Sequence, residues 1–171
     1  HFQREVERRF FSKHLKGGKE PPLPEAYMFD TGSKEWKEFA RWPPEEVPTT
    51  SMYFGANGTL SLGKPLDENA AFDYISDPDK PVPYTSQTEG LTFTPRRFMS
   101  DDQRHASRRP DVLTFSTGPL EEDKTIAGEI MAKLKVSMTG TDADFIVKLI
   151  DVYPPDHPDY DHNPKNIVMA G

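Results

Sequence analysis

The chain has no cysteine in its 171 residues, which excludes a disulfide framework and any thiolate metal site. It has no apolar run near the roughly 20 residues of a membrane-spanning helix, and its first residues do not have the pattern of a signal peptide. A basic surplus is missing too. The 21 Lys and Arg stand against 28 Asp and Glu, a formal net charge of -7. Phosphate backbones are bound by cationic surfaces, so nucleic acid is not an expected partner, and neither is a membrane. The nucleophile elbow G-x-S-x-G of serine hydrolases does not occur, and there is no internal repeat.

What the chain does have is proline and glycine, 17 and 11 respectively. Proline removes a backbone donor and breaks both helices and central strands, so this composition favours short strands joined by turns. The length suits one domain with a core of its own. The exception to short strands is the start. Phe2, Val6, Phe10, Phe11 and Leu15 recur at helical spacing with Arg, Glu and Lys between them, and Gly17, Gly18 and the prolines at 21, 22 and 24 end the helix.

From residue 25 the signals are those of strands. "EAYMFD" (25–30) and "EWKEFARW" (35–42) flank the turn residues Thr31, Gly32 and Ser33. "SMYF" and "LSL" flank Gly55-Ala56-Asn57-Gly58, where Asn-Gly supplies the positive φ angles of a tight hairpin. "AFDYIS" (71–76) ends at Asp77-Pro78, and residues 77–107 read mostly as loop. "DVLTFST" (111–117) is a further strand. Ile126, Ile130, Ala132, Leu134, Val136 and Met138 share one parity, opposite Glu129, Lys133, Lys135 and Ser137, the pattern of a half-buried strand. Residues 145–152 are apolar on both parities, as in a deeper strand, and the two should pair as an antiparallel hairpin. The expected fold is mainly β, a two-layer sandwich or jelly roll.

Candidate chemistry is sparse. Asp156, Asp159 and Asp161, with His157 and His162 beside them, have the ligand types for calcium, but the spacing lacks the glycine and closing glutamate of an EF-hand loop. A solvated loop stiffened by Pro154, Pro155, Pro158 and Pro164 explains the same composition. Tyr27, Trp36, Trp42 and Tyr53 suit either a core or a sugar-stacking face, so an independent carbohydrate-binding module stays open as the alternative function. Asp151, a carboxylate in an apolar stretch, is expected to pair with an arginine of the 104–109 run. No cofactor is implied.

Several segments in order resemble one family. "REVERRFFSKHLKGG" (4–18), "EWKEFARWPP" (35–44), "YISDPDKPVP" (74–83), "DDQRHASRRPD" (101–111), "RPDVLTFSTGPLEEDKTIAG" (109–128) and "GTDADFIVKLIDVYPPDHPD" (140–159) are similar to the C-terminal region of the CocE/NonD family. That family comprises cocaine esterases, X-prolyl dipeptidyl-peptidases and α-amino acid ester hydrolases, often labelled glutaryl cephalosporin acylases. The resemblance implies an α/β-hydrolase domain with a Ser-His-Asp triad, a helical cap and a jelly roll of the galactose-binding-domain type. It begins after the position of the family's catalytic histidine, and His1 lies too close to the helix to be that residue, so no catalytic residue is carried over. Residues 1–18 then correspond to the terminal helix of the α/β-hydrolase domain. Residues 19–171 correspond to the jelly roll, which lacks its last strands because relatives continue beyond "NIVMAG". The implied partner is the α/β-hydrolase domain of the same polypeptide, and exposed sheet edges are expected to favour self-association.

Overall fold

The computed structural model describes residues 2–19, 21–65, 69–86 and 101–154. These residues divide into two compact units, the first built from His1–Thr50 and Leu120–Lys135, the second from Ser51–Pro119 and Val136–Gly171.

In the first unit, a π-helical stretch Gln3–Glu7 runs directly into α1 (Arg8–Lys16). The stop is the one read from the sequence. Gly17 takes φ 63° and ψ 27°, and the Gly18 N–H reaches back to Ser12 O at 3.0 Å, closing carbonyls that the helix end would leave open. Arg9 Nη2 donates to Pro21 O at 3.2 Å, tying the chain beyond the helix to its side.

Strands β1 (Ala26–Asp30) and β2 (Glu35–Phe39) pair antiparallel, with Phe29 opposite Trp36 and Asp30 opposite Glu35. Their turn is built by Asp30, whose Oδ1 accepts from Gly32 N at 2.9 Å and Ser33 N at 3.1 Å, while Oδ2 accepts from Lys37 Nζ. Lys34 adopts φ 59° to close it. Strand alternation places Tyr27, Phe29 and Trp36 on one face. Tyr27 stacks on Trp36 with centroids 4.8 Å apart, and Phe2 approaches the same indole at 6.5 Å.

In the second unit, β3 (Tyr53–Gly55) and β4 (Thr59–Ser61) pair antiparallel across a 3₁₀ turn, Ala56–Gly58. Asn57 (φ 61°, ψ 26°) and Gly58 (φ 72°) both take the left-handed region, as the Asn-Gly pair requires. Gly55 is buried, and a Cβ there would collide with Thr59 Oγ1. The hairpin is fastened to residue 116 by a parallel bridge: Leu60 N donates to Ser116 O at 2.8 Å, and Ser116 N to Gly58 O at 2.9 Å. Beside the bridge, Phe115 packs between Phe54 (4.4 Å) and Phe72 (5.1 Å, edge-on).

Three sequence expectations need correction at the level of elements. Residues 71–76 form no strand, the expected strand at 111–117 reduces to the bridge at Ser116, and the expected 126–138/145–152 hairpin is absent among the described residues. Alternation determines which side chains share a face, but a strand also needs a neighbour's N–H and C=O groups to complete its ladder. Ile126, Ile130, Leu134, Val136, Phe145 and Leu149 are accordingly exposed, and Ile146 reaches 84% exposure. The stretch read as loop conversely contains a short helix, α2 (Arg104–Ser107).

Candidate functional site

The densest polar arrangement surrounds α2 in the second unit. Asp102 starts the helix: its Oδ1 accepts from Arg104 N at 2.9 Å and its Oδ2 from Arg104 Nε at 2.6 Å. The Gln103 carbonyl accepts from the amides of Ala106 and Ser107, each at 3.0 Å, and Ala106 is buried. The helix and its flanks place Gln103, His105 and Arg109 against two other segments.

His105 Nδ1 lies 2.9 Å from Asp102 O, and Nε2 lies 3.3 Å from Pro83 O. Both ring nitrogens face backbone carbonyls, which only accept, so a neutral ring donates to one of the two. Arg109 grips Asp111 through two bonds, Nε to Oδ1 at 2.8 Å and Nη2 to Oδ2 at 2.6 Å, and Nη2 also donates to Lys80 O at 2.9 Å. The hydrogen bond to Asp111 raises the Arg109 pKa, and the same bond lowers that of Asp111, so the pair stays ionised. The carbonyl that Arg109 captures belongs to a preformed turn, in which Asp77 Oδ1 accepts from Asp79 N and Asp77 O from Lys80 N, both at 3.0 Å.

Gln103, only 5% exposed, is satisfied at both ends of its amide. Nε2 donates to Asp101 O at 2.8 Å and Oε1 accepts from Lys148 Nζ at 2.7 Å. These groups act as a junction: they fasten the 77–83 turn, α2 and the 144–152 stretch to one another. They hold backbone carbonyls and carboxylates, not a reacting atom.

Asp151 does not take part. It is exposed, and Arg104 and Arg109 are engaged by Asp102 and Asp111. The expected pairing with the 104–109 run is therefore corrected: a carboxylate two residues away reaches the guanidinium with little loop-closure cost, so the local partner wins. Lys148, three residues before Asp151, makes the contact to α2 instead. His105, Gln103 and Lys148 were not singled out by sequence. The only available signal was the alternation of Asp and Arg through 101–111.

The other expected site residues are distributed as follows. Tyr27 and Trp36 meet on the β1/β2 face, Trp42 packs edge-on against Phe39 at 5.6 Å, and Tyr53 lies on β3. His14 lies against Phe10 at 4.6 Å. The calcium candidates Asp156, Asp159 and Asp161, with His157 and His162, lie outside the described residues, as does His1. Among the described residues, no group of three or more His, Asp or Glu side chains is arranged to hold a metal ion, and no helix is long and apolar enough to cross a membrane.

Comparison with known proteins assigns the scaffold. The family described as the X-Pro dipeptidyl-peptidase C-terminal non-catalytic domain matches residues 18–168. The chain belongs to this family. It is 33% identical over 160 residues to the cocaine esterase of Rhodococcus sp. (strain MB1 Bresler), covering 87% of this chain and 27% of that protein. Among solved structures it resembles the aminopeptidase of the marine sediment archaeon Thaumarchaeota archaeon, with TM-score 0.61 and 33% identity over 71% of this chain and 20% of the other. An α-amino acid ester hydrolase matches equally, with TM-score 0.61 and 33% identity over 74% and 22%. The chain thus spans about a quarter of the length of these relatives. The mainly β jelly-roll class and the CocE/NonD resemblance read from the sequence are both borne out. The domain is the family's C-terminal β-sandwich.

Proposed function

We propose that this domain is the accessory jelly roll of a serine hydrolase that cleaves esters or amides, its Ser-His-Asp triad lying outside residues 1–171. Residues 1–18 act as the closing helix of an α/β-hydrolase domain in the same polypeptide, and residues 19–171 pack on that domain, stabilise it and shape one side of its substrate cleft. The match to a non-catalytic domain over residues 18–168 carries this reading. The geometry around α2 supports it, because the polar side chains there secure loops and the His105 ring faces backbone carbonyls. Phe10, Phe11 and Leu15 leave an apolar stripe on α1 exposed, as a helix meant to seat against a further domain would.

The purified chain should release no p-nitrophenol from p-nitrophenyl acetate above a heat-denatured control. Turnover blocked by a fluorophosphonate would place a serine centre within these residues and overturn the assignment. The exposed apolar stretches at 126–152 should also make the free domain associate, so its sedimentation coefficient should rise with concentration.

A further inference from the structure

The hairpin turn between β3 and β4 contains the chain's one Asn-Gly sequence. The other asparagines precede Ala70, Pro164 and Ile167. Asn57 is exposed, and its carboxamide makes no hydrogen bond to the described residues. The next residue has no Cβ to shield its nitrogen. These features favour attack of the Gly58 backbone nitrogen on Asn57 Cγ.

The backbone opposes it. Closing the five-membered ring needs the Gly58 nitrogen eclipsed with Cβ across the Cα–C bond of Asn57, whereas ψ of 26° leaves the two nearly anti. Rotating ψ would break the left-handed turn on which the Gly55–Thr59 pairing depends. It would also pull Gly58 O away from Ser116 N (2.9 Å) and Leu60 N away from Ser116 O (2.8 Å).

We propose that Asn57 is a modification site for spontaneous deamidation, gated by the docking of residue 116 on the hairpin. When the bridge opens, the Gly58 amide nitrogen loses its proton to solvent base and bonds to Asn57 Cγ. The side-chain amide then leaves as ammonia, giving a cyclic imide. Water adds to either imide carbonyl: cleavage on the side-chain side leaves aspartate, and cleavage on the main-chain side leaves isoaspartate, with the chain rerouted through Cβ. Isoaspartate adds a backbone carbon to a three-residue turn, so the register and the Ser116 bridge cannot re-form. The modification is self-locking toward the open state.

The test is peptide mapping by mass spectrometry of the intact chain incubated at mildly alkaline pH, following the amide-to-acid mass gain at residue 57 with Asn69 as internal control. Ser116→Pro, which removes the N–H donated to Gly58 O, should speed deamidation at Asn57 about tenfold, the shift expected from losing one backbone hydrogen bond in the upper part of its net range. Should that variant fail to fold, the parent chain in rising sub-denaturing urea decides the matter. The deamidation rate should rise in parallel with hydrogen exchange at the Leu60 and Ser116 amides. Equal rates in native buffer and full denaturant, or a rate that ignores both the variant and the exchange profile, would overturn the proposal.

Discussion

A carboxylate that accepts several hydrogen bonds gives up its proton more readily than one in water, and Asp30 accepts them from Lys37 Nζ and from the amides of Ser33 and Gly32. The Lys37 bond is the largest cause, the Ser33 amide the next, and together they hold the Asp30 pKa at about 2. Because the folded value lies below the unfolded one of about 3.9, the stabilisation is complete above about pH 4 and disappears as pH falls through 2. Asp30→Asn should therefore lower the melting temperature at pH 5, and the gap between variant and parent should close as the pH of the scan is brought to 2. A gap that is independent of pH would mean that the carboxylate charge does not contribute. This residue was legible in advance only as part of a turn. Its partner Lys37 lies seven residues away and meets it because the register places both on one face, which requires knowing the pairing and not only the strands.

The elements that formed as read from sequence are those whose signals are local. Gly17 after an amphipathic repeat, Asp30 before Gly32 and Ser33, and Asn57 before Gly58 each fix a turn with their own backbone or side chain, so neighbouring residues suffice. Alternation at 126–138 and 145–152 is equally clear, yet it describes one partner of an interaction whose other half is distant in sequence. Residues 101–107 differ in the other direction: a four-residue helix has too few positions to show a period, and its N–H groups are satisfied by Asp102 and Gln103. Packing of the second hairpin rests on Phe115. Its truncation to Ala should cost about 2 kcal/mol, below the 3–5 of a fully buried Phe because the ring is only half-buried. Leu120→Ala, at an exposed position, should change stability by less than about 0.5 kcal/mol. Urea denaturation of the two variants checks the contrast, and equal losses would show that the Phe54–Phe115–Phe72 contacts do not support the fold.

For the whole molecule, family membership was readable because five or six segments keep their order along the chain, a property that survives ignorance of any single contact. The junction around α2 was not readable, since its bonds cross from residue 80 to 109, from 83 to 105 and from 103 to 148. The calcium candidates allow a test of the entire chain: a chelator should leave its melting temperature unchanged, and a fall of several degrees would assign an ion to the 156–161 carboxylates. The bonds from Arg109 to Lys80 O and from His105 to Pro83 O also determine where this scaffold tolerates foreign sequence. They hold residues 80 and 83 to the segment that carries α2, so length added within 77–83 would disturb both bonds at once. An epitope or fluorophore tag grafted between Lys80 and Pro83 should thus part that turn from α2, and the same graft between Asn57 and Gly58 would dismantle the β3/β4 hairpin.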